Sequence, residues 1–377
     1  MSALTAQGAT LMAQNSSSTI KKQNGIEAIS LNTETLWQLN SLVSSAQALS
    51  QAGYIVRKLT NDELEQKKRC PSCRLRSSDS AVLKKEKLGK ADDGPPKPQL
   101  RCNFHPGSVM YWAWTCCDKN ISAPPCAGKE DHDVPNLDRL ELERRWQFHA
   151  TPSQAQPSHR AAVAIDCEMG TAFDGDSELI RLTVIDYFTG ETLIDSLVYP
   201  NIKMTHFNTR YSGITKGDME QARRQRTCIL GRDAARKAVF NYVGPSTIVV
   251  GHGAQSDLSS LRWIHYRMVD SHMVEVAVRK AEQEKKEEEE KRAVAEKWDD
   301  DEIEKGKEEV DKPKEGPKEG QKRGKQHPDG TSLKALAMRR LGRVIQIGKK
   351  GHDSLEDALA ARDLIHAHIM GLGNLEG

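Results

Sequence analysis

AAVAIDCEMG (161–170) is the stretch that decides the fold. A continuous apolar run, Ala161 to Ile165, leads into Asp166 and Glu168. Such a run reads as a buried strand that ends in acidic residues. Side chains alternate along a strand, so Asp166 and Glu168 share one face at its end. Cys167 then points away from them, into the core. Working outward, LIRLTVIDYF (179–188) and ETLIDSLVYP (191–200) read as further strands, with Thr189 and Gly190 as the turn signal between them. DAARKAVFNYVG (233–244) reads as a helix, STIVVGHG (246–253) as a short buried strand, and SDLSSLRWIHYR (256–267) as a helix again. Cys228 lies in a helical context and reads as core. Periodic structure resumes at SLKALAMRRLG (332–342) and closes with SLEDALAARDLIHAHI (354–369), a final helix. Strands alternating with helices place the chain in the α/β class.

The acidic residues carry a chemistry. Phosphodiester hydrolysis needs an activated water and a stabilised leaving alkoxide, and two divalent ions about 3.5–4 Å apart supply both. Hard cations such as Mg²⁺ or Mn²⁺ prefer oxygen ligands, so clustered carboxylates are the expected scaffold, with a histidine to take the proton of the water. Asp166, Glu168, Asp257, Asp357 and His352 form that inventory. Asp257 follows the buried strand through a Gly-His-Gly turn. His352 sits in the glycine-containing loop before the last helix, and Asp357 lies inside that helix. Asp353 and Ser354 are candidate N-caps for it.

The N-terminal half is organised differently. Residues 1–33 are rich in Ser, Gln and Asn, which predicts disorder. TLWQLNSLVSSAQALSQAGY has helical spacing and stops at Gly53, so 34–69 reads as a helical segment. Six of the eight cysteines then fall between Cys70 and Cys126. Cys70 and Cys73 form one pair, Cys102 and His105 a second, Cys116 and Cys117 a third, and Cys126 with His132 closes the segment. Eight such ligands fit two tetrahedral zinc ions over 70–135, although the spacing leaves open which four share each ion. ATPSQAQPSHR (150–160) makes 136–160 a linker.

From about 279 to 327 the chain is almost all Lys and Glu, an insertion read as a solvated excursion. The formal net charge is only +2, so any phosphate-binding surface must come from local patches. Arg339, Arg340, Arg343, Lys349 and Lys350 are candidates, as are Lys84, Lys85, Lys87 and Lys90 in the module's loop. Neither a secretory leader nor an apolar stretch long enough to span a membrane is visible. The expected compartment is the nucleus or cytoplasm, with the nucleus favoured.

AIDCEMG, GHGAQSDL and HDSLEDALAARDLI resemble the three motifs of the DEDDh exonuclease superfamily. THFNTRYSGIT and SLKALAMRRLG, with the strands at 178–200, are similar to its eukaryotic RNA exonuclease branch. The likeness covers about 160–275 and 330–370. It implies an RNase H-like domain over 161–370, with a mixed five-stranded sheet, flanking helices and the charged insertion. It implies a 3′→5′ exonuclease acting on single-stranded RNA 3′ ends. Asp166, Glu168, Asp257 and Asp357 would be ligands of two Mg²⁺ or Mn²⁺ ions, His352 the general base, and Met169 and Leu258 contacts to the terminal nucleotide. The chain departs from the family in placing Gly170 directly after Met169, which implies a small change in the nucleotide pocket. CNFHPG, WTCC and CAGKEDH resemble a CHORD-type module such as precedes the nuclease in fungal RNA exonucleases. That likeness implies two structural zinc ions and a surface for RNA or a protein partner. The first pair is more closely spaced than in CHORD. Two other functions fit the same residues: a 3′→5′ DNA exonuclease, and a zinc-dependent scaffold with an inactive nuclease fold. An inactive copy is expected to have lost one of the five residues, and none is missing.

Overall fold

The computed structural model describes residues 28–76, 100–301, 330–347 and 351–371. Most of the expected disordered leader, the four loop lysines at 84–90, Lys349, Lys350 and the insertion beyond Asp301 lie outside those residues.

The N-terminal segment forms α1 (Thr33–Ser41), α2 (Ala46–Gln51) and α3 (Asn61–Glu65). The module that follows holds β1 (Cys102–Phe104), β2 (Val109–Met110), β3 (Ala113–Trp114) and β4 (Ala127–Lys129). β1 pairs antiparallel with β4, and β2 with β3. Next come α4 (Arg139–Trp146) and β5 (His149–Ala150). The large domain then runs β6 (Ala162–Ala172), β7 (Ser177–Asp186), β8 (Thr192–Tyr199), β9 (Met204–His206), α5 (Thr209–Ser212), α6 (Lys216–Gln225), β10 (Ile229–Leu230), α7 (Arg232–Phe240), β11 (Ile248–Gly251), α8 (Gln255–Ser260), β12 (Trp263–Ile264), β13 (Met268–Asp270), α9 (Ser271–Asp301), α10 (Leu333–Leu341) and α11 (Ser354–Ile369).

The main sheet has the order β10-β8-β7-β6-β11-β13, with β9 also paired to β6. β6, β7 and β8 pair antiparallel, whereas β11 runs parallel to both β6 and β13. Its five principal strands therefore lie 3-2-1-4-5 with the second reversed, the arrangement of an RNase H-like domain. The short β9 and β10 are additions to the expected five.

Alternation along β6 sorts the core into two layers. Val163, Ile165 and Cys167 face one cluster, with Val239 of α7 and Leu258 of α8. Ala162 and Ala164 face the other, with Ala358 and Ile365 of α11. The small alanines let α11 lie close to the sheet on the face that also carries Asp166 and Glu168.

Several expectations need correction. The segment 28–33 is not disordered: Ile29 is buried, and its N–H donates to the Phe188 carbonyl at 2.7 Å. The single helix expected through Gly53 breaks into α1 and α2, capped by Asn32 and Ser45. The break lets the chain wrap the β13 edge, where Ser44 N donates to the Met268 carbonyl at 2.9 Å. Leu39 then packs into one layer and Leu49 into the other. An edge strand is thereby covered.

The segment 136–160 is only partly a linker. Asp138 caps α4, whose Leu142 and Trp146, four residues apart, close over Leu64, and β5 pairs with β12. That pairing also ends the helix expected over 256–267 at Ser260, through a left-handed turn at Arg262. Cys228 is half-buried in a bend after the left-handed cap Arg226, not in a helix. β6 does not stop at Glu168 but continues to Ala172 past a register shift between Glu168 and Met169.

Arg362 of α11 is 1% exposed; its Nε donates to the Tyr187 carbonyl at 2.6 Å and Nη2 to the Phe188 carbonyl at 3.3 Å. Replacing it by Met removes the side-chain donor from the buried Tyr187 carbonyl and one of the two donors, the other being the Ile29 N–H, from the Phe188 carbonyl. We expect Arg362→Met to lower stability by about 2–4 kcal/mol, read from urea unfolding midpoints.

Candidate active site

Asp166 and Glu168 pair across the strands with Thr183 and Arg181 of β7. Those two residues fix the start of α11. Thr183 Oγ1 lies 2.7 Å from Ser354 Oγ, and Arg181 Nη1 is 3.1 Å from Asp353 Oδ1. Asp353 caps α11 by accepting from Leu355 N. Asp357 follows one helical turn later, on the face turned towards β6. Asp257 arrives from the other layer. It projects from α8, just beyond the end of β11, and its Oδ1 accepts from Cys167 N at 2.9 Å, between the two acidic residues of β6.

Burial raises all four carboxyls, and repulsion from other acids of the set adds to it at Asp166 and Glu168. Burial, then the charges of Asp257, Asp357 and Glu168, hold the Asp166 carboxyl well above the usual carboxylate range. Burial, then Asp357, pushes Glu168 up to about 8, against the pull of Arg181. Burial lifts Asp257 to about 7 and Asp357 to about 6. Buried carboxyls whose proton affinity is held high are what a site for hard dications looks like before it binds them. The set is more open than the cysteine clusters, whose ligand atoms lie within 4.8 Å of one another.

The loop carrying His352 is set by a close approach. His352 N donates to the Tyr211 carbonyl at 2.5 Å. Gly351 has φ +88°, and a Cβ there would meet Gly213 N at 2.2 Å. Only glycine fits that contact. The result puts His352 Nδ1 3.7 Å from Asp357 Oδ2, with the ring 45% exposed to a cavity of about 380 Å³ that Arg181 and Gln346 also line. Gln346 Nε2 donates to both oxygens of Asp357, at 3.2 and 3.1 Å. Neither Arg181 nor Gln346 has a local sequence signal; Arg181 reads as an ordinary strand cation, and Gln346 follows no periodic element.

Met169 is half-buried, and Asn208 Nδ2 donates to its carbonyl at 3.1 Å. Leu258 is 3% exposed and packs in the core, so Met169 is the more open of the two expected nucleotide contacts. Gly170 also has a packing reason, because a Cβ there would meet Met204 Cε at 2.6 Å. The basic residues expected on α10 are already paired. Arg339 and Arg340 reach Glu275 at 2.5 and 3.3 Å, and Arg343 reaches Asp363 at 2.7 Å. These pairs tie α10 and the segment after it to α9 and α11.

The eight cysteine and histidine ligands gather as two sets of four, Cys70, Cys73, Cys102 and His132, and His105, Cys116, Cys117 and Cys126. In the first, Cys70 Sγ is 3.6 Å from Cys102 Sγ, and Cys73 Sγ is 3.1 Å from His132 Nδ1. In the second, His105 Nδ1 lies 3.6 Å from the sulfurs of both Cys116 and Cys117. His105 Nε2 faces the Ala123 carbonyl at 3.2 Å. That bond reserves Nδ1 for a cation, as second-shell partners of metal-bound histidines do.

No protein-family model matches the chain. Curated relatives do. The chain is 28% identical over 268 residues to RNA exonuclease 3 of Candida albicans, covering 70% of this chain and 53% of that protein. It is 25% identical over 378 residues to RNA exonuclease 3 of Emericella nidulans, covering 86% and 50%. The chain thus spans about half the length of these relatives. Over 362 residues it is 23% identical to RNA exonuclease 3 of Saccharomyces cerevisiae, covering 91% and 70%. Among solved structures it overlaps the Neurospora crassa Pan2 catalytic unit at 16% identity and TM-score 0.36, covering 65% of this chain and 35% of that one. An overlap that low carries no argument. No helix among the described residues is long and apolar enough to cross a membrane.

The raised carboxyls make stability depend on pH. A group with a higher pKa when folded binds more protons folded than unfolded between the two values, so stability falls as pH rises through that window. For Glu168 the window runs from about 4 in the unfolded chain to about 8 in the fold. Protein freed of Mg²⁺ and Mn²⁺ should therefore melt lower as the buffer is raised from about pH 5 to about pH 8. Added Mn²⁺ should reverse the loss, and a thermal-shift series with and without the ion checks both.

Proposed function

We propose, from the premise that this chain belongs to the exonuclease family its fungal relatives represent, that it is a 3′→5′ exoribonuclease. Its activity is hydrolysis of phosphodiester bonds at single-stranded RNA 3′ ends, in RNA 3′-end processing. The observation that carries this reading is the convergence of Asp166, Glu168, Asp257 and Asp357, drawn from three separate segments, with His352 beside them. The preference for RNA over DNA rests on the family.

The four carboxylates fit a pair of Mg²⁺ or Mn²⁺ ions. A bound pair supplies charge that acidifies a water and neutralises the leaving alkoxide. The residues of the chain do the rest. Asp166 and Glu168 hold their oxygens on one strand face, Asp257 is aimed by the Cys167 N–H, and Asp357 is aimed by Gln346. His352, open to solvent on one side and backed by Asp357 on the other, accepts the proton of the attacking water. Arg181 offsets part of the negative charge around Glu168. Met169 rests against the terminal nucleotide, with Leu258 supporting it from the core.

The two Cys/His sets fit zinc, one ion each, because tetrahedral zinc takes four sulfur and nitrogen ligands. Zinc would contribute much of the folding free energy of a segment with so little core of its own. The module is also the natural surface for a protein partner, and the nucleus is the favoured compartment.

Turnover of a 3′-labelled single-stranded RNA with Mg²⁺ or Mn²⁺ tests the reading, with single-stranded DNA of the same sequence as the comparison. Asp166→Asn, Asp257→Asn and Asp357→Asn should each abolish detectable cleavage. His352→Ala should lower kcat by about 10²–10⁴ and change KM little. Equal losses in both would make His352 a binding residue. Elemental analysis should find about two zinc ions per chain, with Cys116→Ser losing one; less than one ion in the unaltered protein would reject the module's metals.

A further inference from the structure

The two Cys/His sets differ in access. In the first, Cys70 and Cys102 are 0% exposed, while Cys73 and His132 are half-buried. That set also sits against the nuclease domain, because Arg69 reaches Asp176 at 3.1 Å and the Arg74 guanidinium lies 4.7 Å over the Phe173 ring at the β6–β7 turn. In the second set no ligand is buried. His105, Cys116 and Cys117 are half-buried, and Cys126 is exposed. Cys126 Sγ lies 3.5 Å from Cys116 Sγ. A disulfide has its sulfurs about 2.0 Å apart, so a shift of about 1.5 Å would join them. The first set has a pair almost as near, Cys70 and Cys102 at 3.6 Å, so access rather than spacing separates the two sets.

Little besides the ligands holds the second set together. The β2–β3 hairpin grows out of it, with Val109, Met110, Tyr111 and Trp112 all exposed. β4 begins directly after Cys126. A cation shared by the four ligands would be the main tie between hairpin and β4. His105 is the ligand that the chain itself keeps in place. Its ring stacks on Trp114 with centroids 4.3 Å apart, and its Nε2 faces the Ala123 carbonyl at 3.2 Å.

We propose that Cys116 and Cys126 are an oxidisable pair, which hydrogen peroxide converts to a disulfide with loss of the second set's ion while the first set keeps its own. The inference rests on the zinc reading of the module. The Cys126 thiolate attacks one oxygen of the peroxide; the O–O bond breaks, a sulfenic acid forms and hydroxide leaves. The Cys116 thiolate then attacks the Cys126 sulfur, forming the S–S bond and displacing a second hydroxide. The two thiolates supply the two electrons that reduce the peroxide, and both hydroxides take protons from solvent to become water. His105 and Cys117 remain, two of the four ligands that tetrahedral zinc takes. Burial keeps the oxidant from the Cys70 and Cys102 sulfurs. Oxidation therefore loosens the hairpin half of the module and leaves the half docked on the β6–β7 turn. Reduction restores the set, because His105 has stayed where Trp114 holds it.

The test treats the full zinc-loaded chain with hydrogen peroxide at neutral pH and follows released zinc with a chromophoric chelator. We expect about one ion per chain in a first phase and the other at least about tenfold more slowly, since thiol oxidation follows exposure. After free thiols are alkylated, peptide mass mapping should find Cys116 linked to Cys126, and Cys70, Cys73 and Cys102 alkylated. Dithiothreitol with added zinc should reverse the change. Cys126→His keeps four nitrogen and sulfur ligands but removes the pair, and should slow the first phase at least about tenfold. The mapping uses the unaltered chain, so it decides the matter even where that variant fails to fold. Thiols left reduced, simultaneous loss of both ions, earlier loss from the Cys70 set, or a Cys116–Cys117 link in place of the expected one overturns the proposal. A chain without zinc that still forms the Cys116–Cys126 link first would sink the zinc reading and keep the oxidisable pair.

Discussion

Four carboxylates held close against their own repulsion form the constraint on which the rest of this structure depends. Burial raises the proton affinity of all four, and the charges of the other acids add to it at Asp166 and Glu168. Such a cluster opposes folding unless protons or cations occupy it. The surrounding scaffold accordingly takes each acid from an element anchored by other contacts. Asp166 and Glu168 come from the central strand of the sheet. Asp257 comes from a helix packed on one face, and Asp357 from a helix packed on the other. No single element can relax to separate them.

Smaller devices set the fine geometry. The alanines of β6 bring α11 down onto the sheet. Thr183 and Arg181 fix its first turn through Ser354 and Asp353. Gly351 lets the His352 loop touch the 209–213 turn. Asp270 accepts from the N–H groups of Gly253 and Ala254 and from the Tyr54 hydroxyl, which couples the N-terminal segment to the turn that presents Asp257. That segment is thus part of the nuclease domain's edge, although it lies about a hundred residues upstream in the chain.

The Cys/His module has a different physical basis. Its strands are two or three residues long, and its hairpin exposes Tyr111 and Trp112 at 93% and 78%. It buries little, and its sulfur and imidazole groups stand within contact distance with no disulfide between them. Cations at the two sets would supply the cohesion that apolar burial does not. Through Arg69 and Arg74 the module leans on the β6–β7 turn.

Local pattern determined a good deal. Alternation in AAVAIDCEMG placed Asp166 and Glu168 together and turned Cys167 inward. The buried run before Gly251 placed Asp257 at the end of a strand, and helical spacing placed Asp357 on the final helix. These readings depend on residues near one another in the chain, where strand and helix periods act directly. The break between α1 and α2, the pairing of β5 with β12, and the early end of α8 were decided by partners more than a hundred residues away for the last two and by the β13 edge for the first. The same holds for the division of eight ligands into two sets and for the parts played by Arg181, Gln346 and Asp270. Spacing counts ligands but cannot say which distant pairs meet, because that follows from how packed elements bring separate segments into contact.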